Sequence, residues 1–128
     1  MMVVDSIKEN NQIAKEYKEL LKISYQSLSK DDRKLIRLAF NTSVDAHKNQ
    51  RRKSGEPYVF HPISVAKIVA SKIGLDATCI AAALLHDAIE DTDYDEKKIT
   101  EIFGKTICKI VVGLTKISKL SKDENVSL

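Results

Sequence analysis

Tryptophan is missing from this 128-residue chain, glycine (4), proline (2) and cysteine (2) are sparse, and aromatic residues make up 5%. An all-β fold needs many turns and many strand-forming residues, so this poverty argues against one. The two cysteines, Cys79 and Cys108, stand far apart, each inside an apolar run. They read as buried free thiols in a reducing cytoplasm, and nothing around them suggests a thiol nucleophile. No apolar run approaches the ~20 residues of a membrane span, and the start at Met1–Asp5 lacks the pattern of a signal peptide. A net charge of +3 does not by itself imply nucleic-acid binding. A cytoplasmic protein with neither DNA nor a membrane as partner is expected. There is no internal repeat and no low-complexity segment.

What the chain does have suits helices. Apolar residues are 43% and charged residues 30%, the balance of a soluble globular domain. The length fits one such domain. Residues 11–28 carry a helical stripe of Ile13, Ala14, Tyr17, Leu20, Leu21 and Tyr25. Ser29 and Asp32 form a capping-box start for a second helix running to about Lys48. Residues 49–61 contain Ser54-Gly55-Glu56-Pro57 and break the pattern as a loop. Pro62 suits the first position of a third helix, which Gly74 ends. Asp76 caps a fourth, ATCIAAALLHDAIED, which is apolar nearly all round until His86 and so predicts the central, buried helix. Further helices are expected over 96–103, stopped by Gly104, and over 105–119, before a polar tail. The prediction is an all-α bundle of about six helices. It divides into an N-terminal extension (1–29), a core (30–120) and a tail (121–128).

The run His86-Asp87-Ala88-Ile89-Glu90-Asp91 carries the chemistry. At about 100° per residue on one continuous helix, its four polar groups share a sector of about 140°. An imidazole and three carboxylates at the end of the most apolar helix are costly to bury without a metal ion, a cationic partner or a cleft. The alternative is a solvated helix end, but acidic groups there oppose the helix dipole. Asp91, Asp93 and Asp95 match the opening of a calcium loop. That pattern fails where Glu96 replaces its glycine and Ile102 its glutamate. Lys48, Arg51, Arg52 and Lys53 cluster before Ser54 and Gly55, which suits phosphate recognition or, equally, a solvated basic loop. His61 closes that loop. Taken alone it reads more readily as structural, yet with His86 and Asp87 it completes a sensible mixed N/O ligand set. A metal wall facing a cationic wall is what phosphoester or pyrophosphate hydrolysis requires.

Three stretches, AHKNQRRKSGEPYVFHP (46–62), AAALLHDAIEDT (81–92) and FGKTICKIVVGLTKIS (103–118), resemble the HD-type hydrolase domain of the RelA/SpoT family. The likeness runs over about residues 30–120, and its N-terminal helical extension looks like that of the long, bifunctional members. The resemblance implies metal ligands at His61, His86 and Asp87, with Mn²⁺ the typical ion. It implies a water-activating pair in Glu90 and Asp91. Arg52, Lys53 and Ser54 would hold the guanine nucleotide, with Arg52 against the base, and His47 would be structural. The implied reaction removes the 3′-pyrophosphate of guanosine tetra- or pentaphosphate, giving GDP or GTP, in the bacterial stringent response. The parent protein would also be a GTP pyrophosphokinase.

The family usually has Gly where Asn49 stands, and an aromatic or small residue where Arg51 stands. Its fourth metal ligand, an Asp on a later helix, would fall beyond Leu128. This implies an N-terminal fragment, weak or inactive as it stands and possessing a metal shell that is incomplete. The mixed faces of 105–119 predict exposed apolar surface and homodimerisation. Two alternatives stay open: an HD-type phosphohydrolase for another nucleotide, and a non-catalytic nucleotide-binding regulatory module.

Overall fold

The computed structural model describes residues 2–24, 28–73 and 76–123, with side chains left out at 2–6, 24, 72–73 and 118–123. Tyr25, Gly74, the side chain of Ile73 and the end of the polar tail (124–128) therefore lie outside the described residues. The helices are α1 (Met2–Ser24), α2 (Lys30–Ala46), α3 (Phe60–Ile68, continued by a π-turn over Val69–Ile73), α4 (Ala77–Leu85), α5 (Ala88–Asp91), α6 (Glu96–Phe103) and α7 (Lys105–Asp123). Among the described residues there is no strand, only an isolated bridge between Arg51 and Pro57. The all-α expectation holds, and the count is six if α4 and α5 are taken as one interrupted helix.

Local signals set most of the boundaries. Ser29 accepts from the Asp32 backbone N–H, and the Asp32 carboxylate accepts from the Ser29 N–H, so the capping box forms. Asp76 and Asp95 cap α4 and α6 through the N–H groups of Cys79 and Lys98. Gly104 ends α6 at φ 92°, a conformation that favours glycine.

Five expectations need correction. Helix α1 begins well before residue 11, and α7 runs to Asp123, past the expected end at residue 119 and into the expected tail. Pro62 falls inside the first turn of α3, which starts at Phe60; the missing N–H is harmless anywhere in that turn. The helix expected over 76–91 is broken by a turn at His86 and Asp87. Finally, Cys108 is buried but Cys79 is only half-buried; both are free thiols.

Helix α4 is the axis of the bundle. Ala81, Ala82, Ala83, Leu84 and Leu85 have no exposed surface, and α2, α3 and α7 pack around them. The run of alanines allows close approach from several sides, because interhelical distance follows the size of the contact side chains. Burying Leu84 or Leu85 contributes about 1.5–3 kcal/mol each. Helix α1 belongs to the same core through Ile13, Tyr17 and Leu20, and the Tyr17 ring stacks on Phe40 at 4.2 Å. A core this apolar carries the end of α4 inward, so His86 and Asp87 are buried although they are polar.

Candidate metal centre and adjoining cleft

The buried end of α4 meets the start of α3. His86 and Asp87 come from the first and His61 from the second, and one ligand atom of each lies within 4.8 Å of the others. Asp87 Oδ2 is 3.3 Å from His61 Nε2 and 3.3 Å from His86 Nε2. The His86 Nδ1 sits 2.6 Å from the Ala83 carbonyl oxygen. That carbonyl can only accept, so Nδ1 carries a proton and Nε2 is the ring nitrogen turned to Asp87 and His61. Two imidazole nitrogens about one carboxylate oxygen, in a largely buried setting, suit a divalent cation.

A second layer holds these groups in place. Tyr58 donates its hydroxyl to Asp87 Oδ2 at 2.9 Å. Burial, with the negative charge of Asp87 and Asp91, pushes that hydroxyl well above the usual tyrosine range, so it remains a donor. The Tyr58 ring lies edge-on to His61 at 5.8 Å and tilted against His47 at 4.9 Å. Thr115 of α7 donates to the carbonyl of His86, and its hydroxyl also lies 2.8 Å from the Val111 carbonyl. The turn that interrupts α4 therefore has its freed carbonyl satisfied.

Glu90 and Asp91 are exposed on α5, directly after the turn. Neither is among the three clustered ligand atoms. Asp91 is close enough for its charge to act on Tyr58, and its backbone carbonyl accepts from Gln50 Nε2 at 2.6 Å.

The basic loop stands on the other side of His61. Arg51, Arg52, Lys53, Ser54, Tyr58 and His61 line a cleft of about 550 Å³. The loop is closed by Arg52 N–H to the Glu56 carbonyl and Gly55 N–H to the Arg52 carbonyl, with Gly55 at φ 95°. Its four cations are not equivalent. Lys48 pairs with Asp45, and Arg51 makes a two-pronged pair with Glu9 of α1 at 2.8 Å on each prong. Among the described residues Arg52 makes a long contact to Glu56, 3.9 Å, and a second cleft of about 300 Å³ shares Arg52 and His61. Arg52 and Lys53 are thus the cations best placed to meet an anion beside the ligand cluster.

The structure brings together His61, His86 and Asp87 as the motif reading expected, and places Arg52, Lys53 and Ser54 on a cleft bordered by His61. Sequence reasoning missed Tyr58, Gln50 and Thr115. All three sit in stretches already singled out, Gln50 and Tyr58 in 46–62 and Thr115 in 103–118. Their position was visible, but their hydrogen-bond partners were not.

A family model described as HD domain matches residues 39–127. The chain is 51% identical over 76 residues to a guanosine-3′,5′-bis(diphosphate) 3′-pyrophosphohydrolase of Haemophilus influenzae, a match covering 59% of this chain and 11% of that protein. It is 44% identical over 93 residues to the bifunctional (p)ppGpp synthase/hydrolase SpoT of Escherichia coli, covering 73% and 13%. Over 120 residues it is 37% identical to a guanosine-3′,5′-bis(diphosphate) 3′-pyrophosphohydrolase of Vibrio cholerae, covering 94% and 15%. The chain spans about an eighth of the length of these relatives. No helix among the described residues is long and apolar enough to cross a membrane.

Proposed function

Because the chain belongs to the HD domain family, we propose that this centre hydrolyses the 3′-diphosphate of guanosine tetra- or pentaphosphate, releasing pyrophosphate and GDP or GTP. The observation that carries the reading is Asp87 Oδ2 held 3.3 Å from two imidazole Nε2 atoms, with the cations of the RKSGEPY loop on the adjoining cleft. The names of the relatives support the choice of substrate.

His61, His86 and Asp87 would hold a divalent cation, Mn²⁺ in our assignment, which when bound supplies Lewis acidity at the phosphoryl oxygens and lowers the pKa of water. This chain's residues do the rest. Arg52 and Lys53 bind the charged nucleotide, Arg52 stacking its planar guanidinium on the base, while Ser54 hydrogen-bonds. Glu90 and Asp91 orient the attacking water and accept its proton. The water oxygen joins the phosphorus next to the 3′-oxygen. The bond from that phosphorus to the 3′-oxygen breaks, and the 3′-oxygen ends protonated. Tyr58, kept protonated, fixes Asp87.

Pyrophosphate release from guanosine tetraphosphate by the full-length protein, followed with Mn²⁺ and after chelation, tests the reading. His86→Ala and Asp87→Ala should each abolish turnover; unchanged turnover in either would remove the metal assignment. A panel of deoxynucleoside triphosphates and cyclic dinucleotides tests the substrate, and preference for one of these would give the cleft another nucleotide. Tight nucleotide binding in the presence of metal, without hydrolysis, would instead make the domain a regulatory module.

A further inference from the structure

We propose that Gln50, oriented by His47, is a positioning residue that sets the turn carrying Glu90 and Asp91 against the metal ligands. The proposal rests on the hydrolase reading for its catalytic consequence.

Few backbone bonds hold α5. It has four residues and follows directly on the turn that ends α4. One helical turn does not sustain itself in water. Its own backbone bonds are Asp91 N–H to the Asp87 carbonyl at 3.4 Å and Thr92 N–H to the Ala88 carbonyl at 3.1 Å. The last carbonyls of a helix lack partners within it, and that of Asp91 is filled by Gln50 Nε2 at 2.6 Å, across 41 residues of sequence.

The other end of the Gln50 amide meets His47 Nδ1. With the Asp91 carbonyl accepting from the amide nitrogen, the amide oxygen must face His47, and Nδ1–H must be the donor. Exchanging the amide oxygen and nitrogen would set two acceptors against each other at Asp91. The orientation of Gln50 is therefore determined at both ends. His47 is itself fixed: it is 2% exposed, sits at the C-cap of α2, and packs tilted against Tyr58. One imidazole thus supports two paths into the centre, through Gln50 to Asp91 and through Tyr58 to Asp87. The backbone ties them together, because Tyr58 N–H donates to the Gln50 carbonyl at 3.0 Å.

Gln50 does not line the cleft of Arg52, Lys53 and Ser54; it lines a separate hollow with Glu9, Val44 and His47. Its effect should therefore reach the reaction through α5 and not through substrate contact. Gln50→Glu is the informative substitution. It keeps the acceptor for His47, removes the donor to Asp91, and adds a negative charge beside Glu90 and Asp91. Gln50→Met removes both hydrogen bonds at similar length without charge.

In the full-length protein both variants should lower kcat for Mn²⁺-dependent pyrophosphate release by about 10–100-fold, the usual effect of losing a group that orients metal-site residues. KM and Mn²⁺ affinity by calorimetry should stay close to wild type in both, and the unfolding midpoint should do so in Gln50→Glu, which keeps the acceptor for buried His47. Amide hydrogen exchange should accelerate at residues 88–92 and not in α2. Unchanged kcat and unchanged exchange would overturn the proposal. So would a joint fall of kcat, Mn²⁺ affinity and stability, which is the signature of general loosening. If the full-length protein neither binds Mn²⁺ nor hydrolyses the nucleotide, the hydrolase reading fails. Exchange at 88–92 then decides alone whether Gln50 holds α5.

Discussion

Tyr58 is the residue at which the ligand set and the basic loop meet. It belongs to the RKSGEPY run, yet its hydroxyl serves Asp87 from 29 residues away. Metal-binding groups depend on the hydrogen bonds behind them, and losing such a bond typically costs 10–100-fold in metal affinity or activity. Tyr58→Phe isolates that bond, since the ring contacts to His47 and His61 remain. Mn²⁺ affinity measured by titration calorimetry should fall by about tenfold or more. An affinity within threefold of wild type would mean that Asp87 needs no help. The sequence could place Tyr58 near the site but not on it, because a hydroxyl shows its role only through its partner. His61, His86 and Asp87 were legible for the opposite reason: their residue types already carry ligand chemistry, and the HD pair is adjacent in sequence.

At the scale of elements, the decisive feature is the turn between α4 and α5. Periodicity alone predicted one continuous helix over 76–91, and on that helix His86, Asp87, Glu90 and Asp91 would share one face. The observed turn instead leaves His86 and Asp87 in the interior and places Glu90 and Asp91 on an exposed segment. A stripe of apolar residues cannot reveal this, since no glycine or proline marks the break. What holds it comes from α7, where Thr115 supplies a hydroxyl to the His86 carbonyl. Thr115→Val keeps the shape and removes the donor from a buried carbonyl, which should destabilise the fold by about 1–3 kcal/mol. Urea unfolding should show a lower midpoint with an unchanged slope, the sign of lost stability without a change in compactness. Wild-type stability in the variant would mean that the turn is set by α4 and α5 themselves. Boundaries fixed by side-chain caps, at Ser29 and Asp76, were by contrast readable in advance, because cap and helix are neighbours in sequence.

Across the whole molecule, the candidate ligands join elements that the chain keeps apart. His61 opens α3, His86 and Asp87 close α4, and both helices pack on the core that α1, α2 and α7 complete. A cation held by all three must therefore bind the folded chain far better than the unfolded one, and binding must stabilise the fold. At a free Mn²⁺ concentration of a hundred times Kd the gain is about 2.7 kcal/mol, which for a domain of this size raises the unfolding midpoint by on the order of 10 °C. Scanning calorimetry with Mn²⁺ and with a chelator should show that shift in the wild type and none in His86→Ala. A shift of equal size in the variant would place the stabilising ion elsewhere. Repeating the scan over a wide range of protein concentration separates this from self-association. Ile68 and Ile117 are more than half exposed, and pairing through such residues would raise the midpoint with protein concentration whether or not Mn²⁺ is present. A metal-dependent, concentration-independent rise is the outcome expected from a cation that fastens α3 to α4 within one chain.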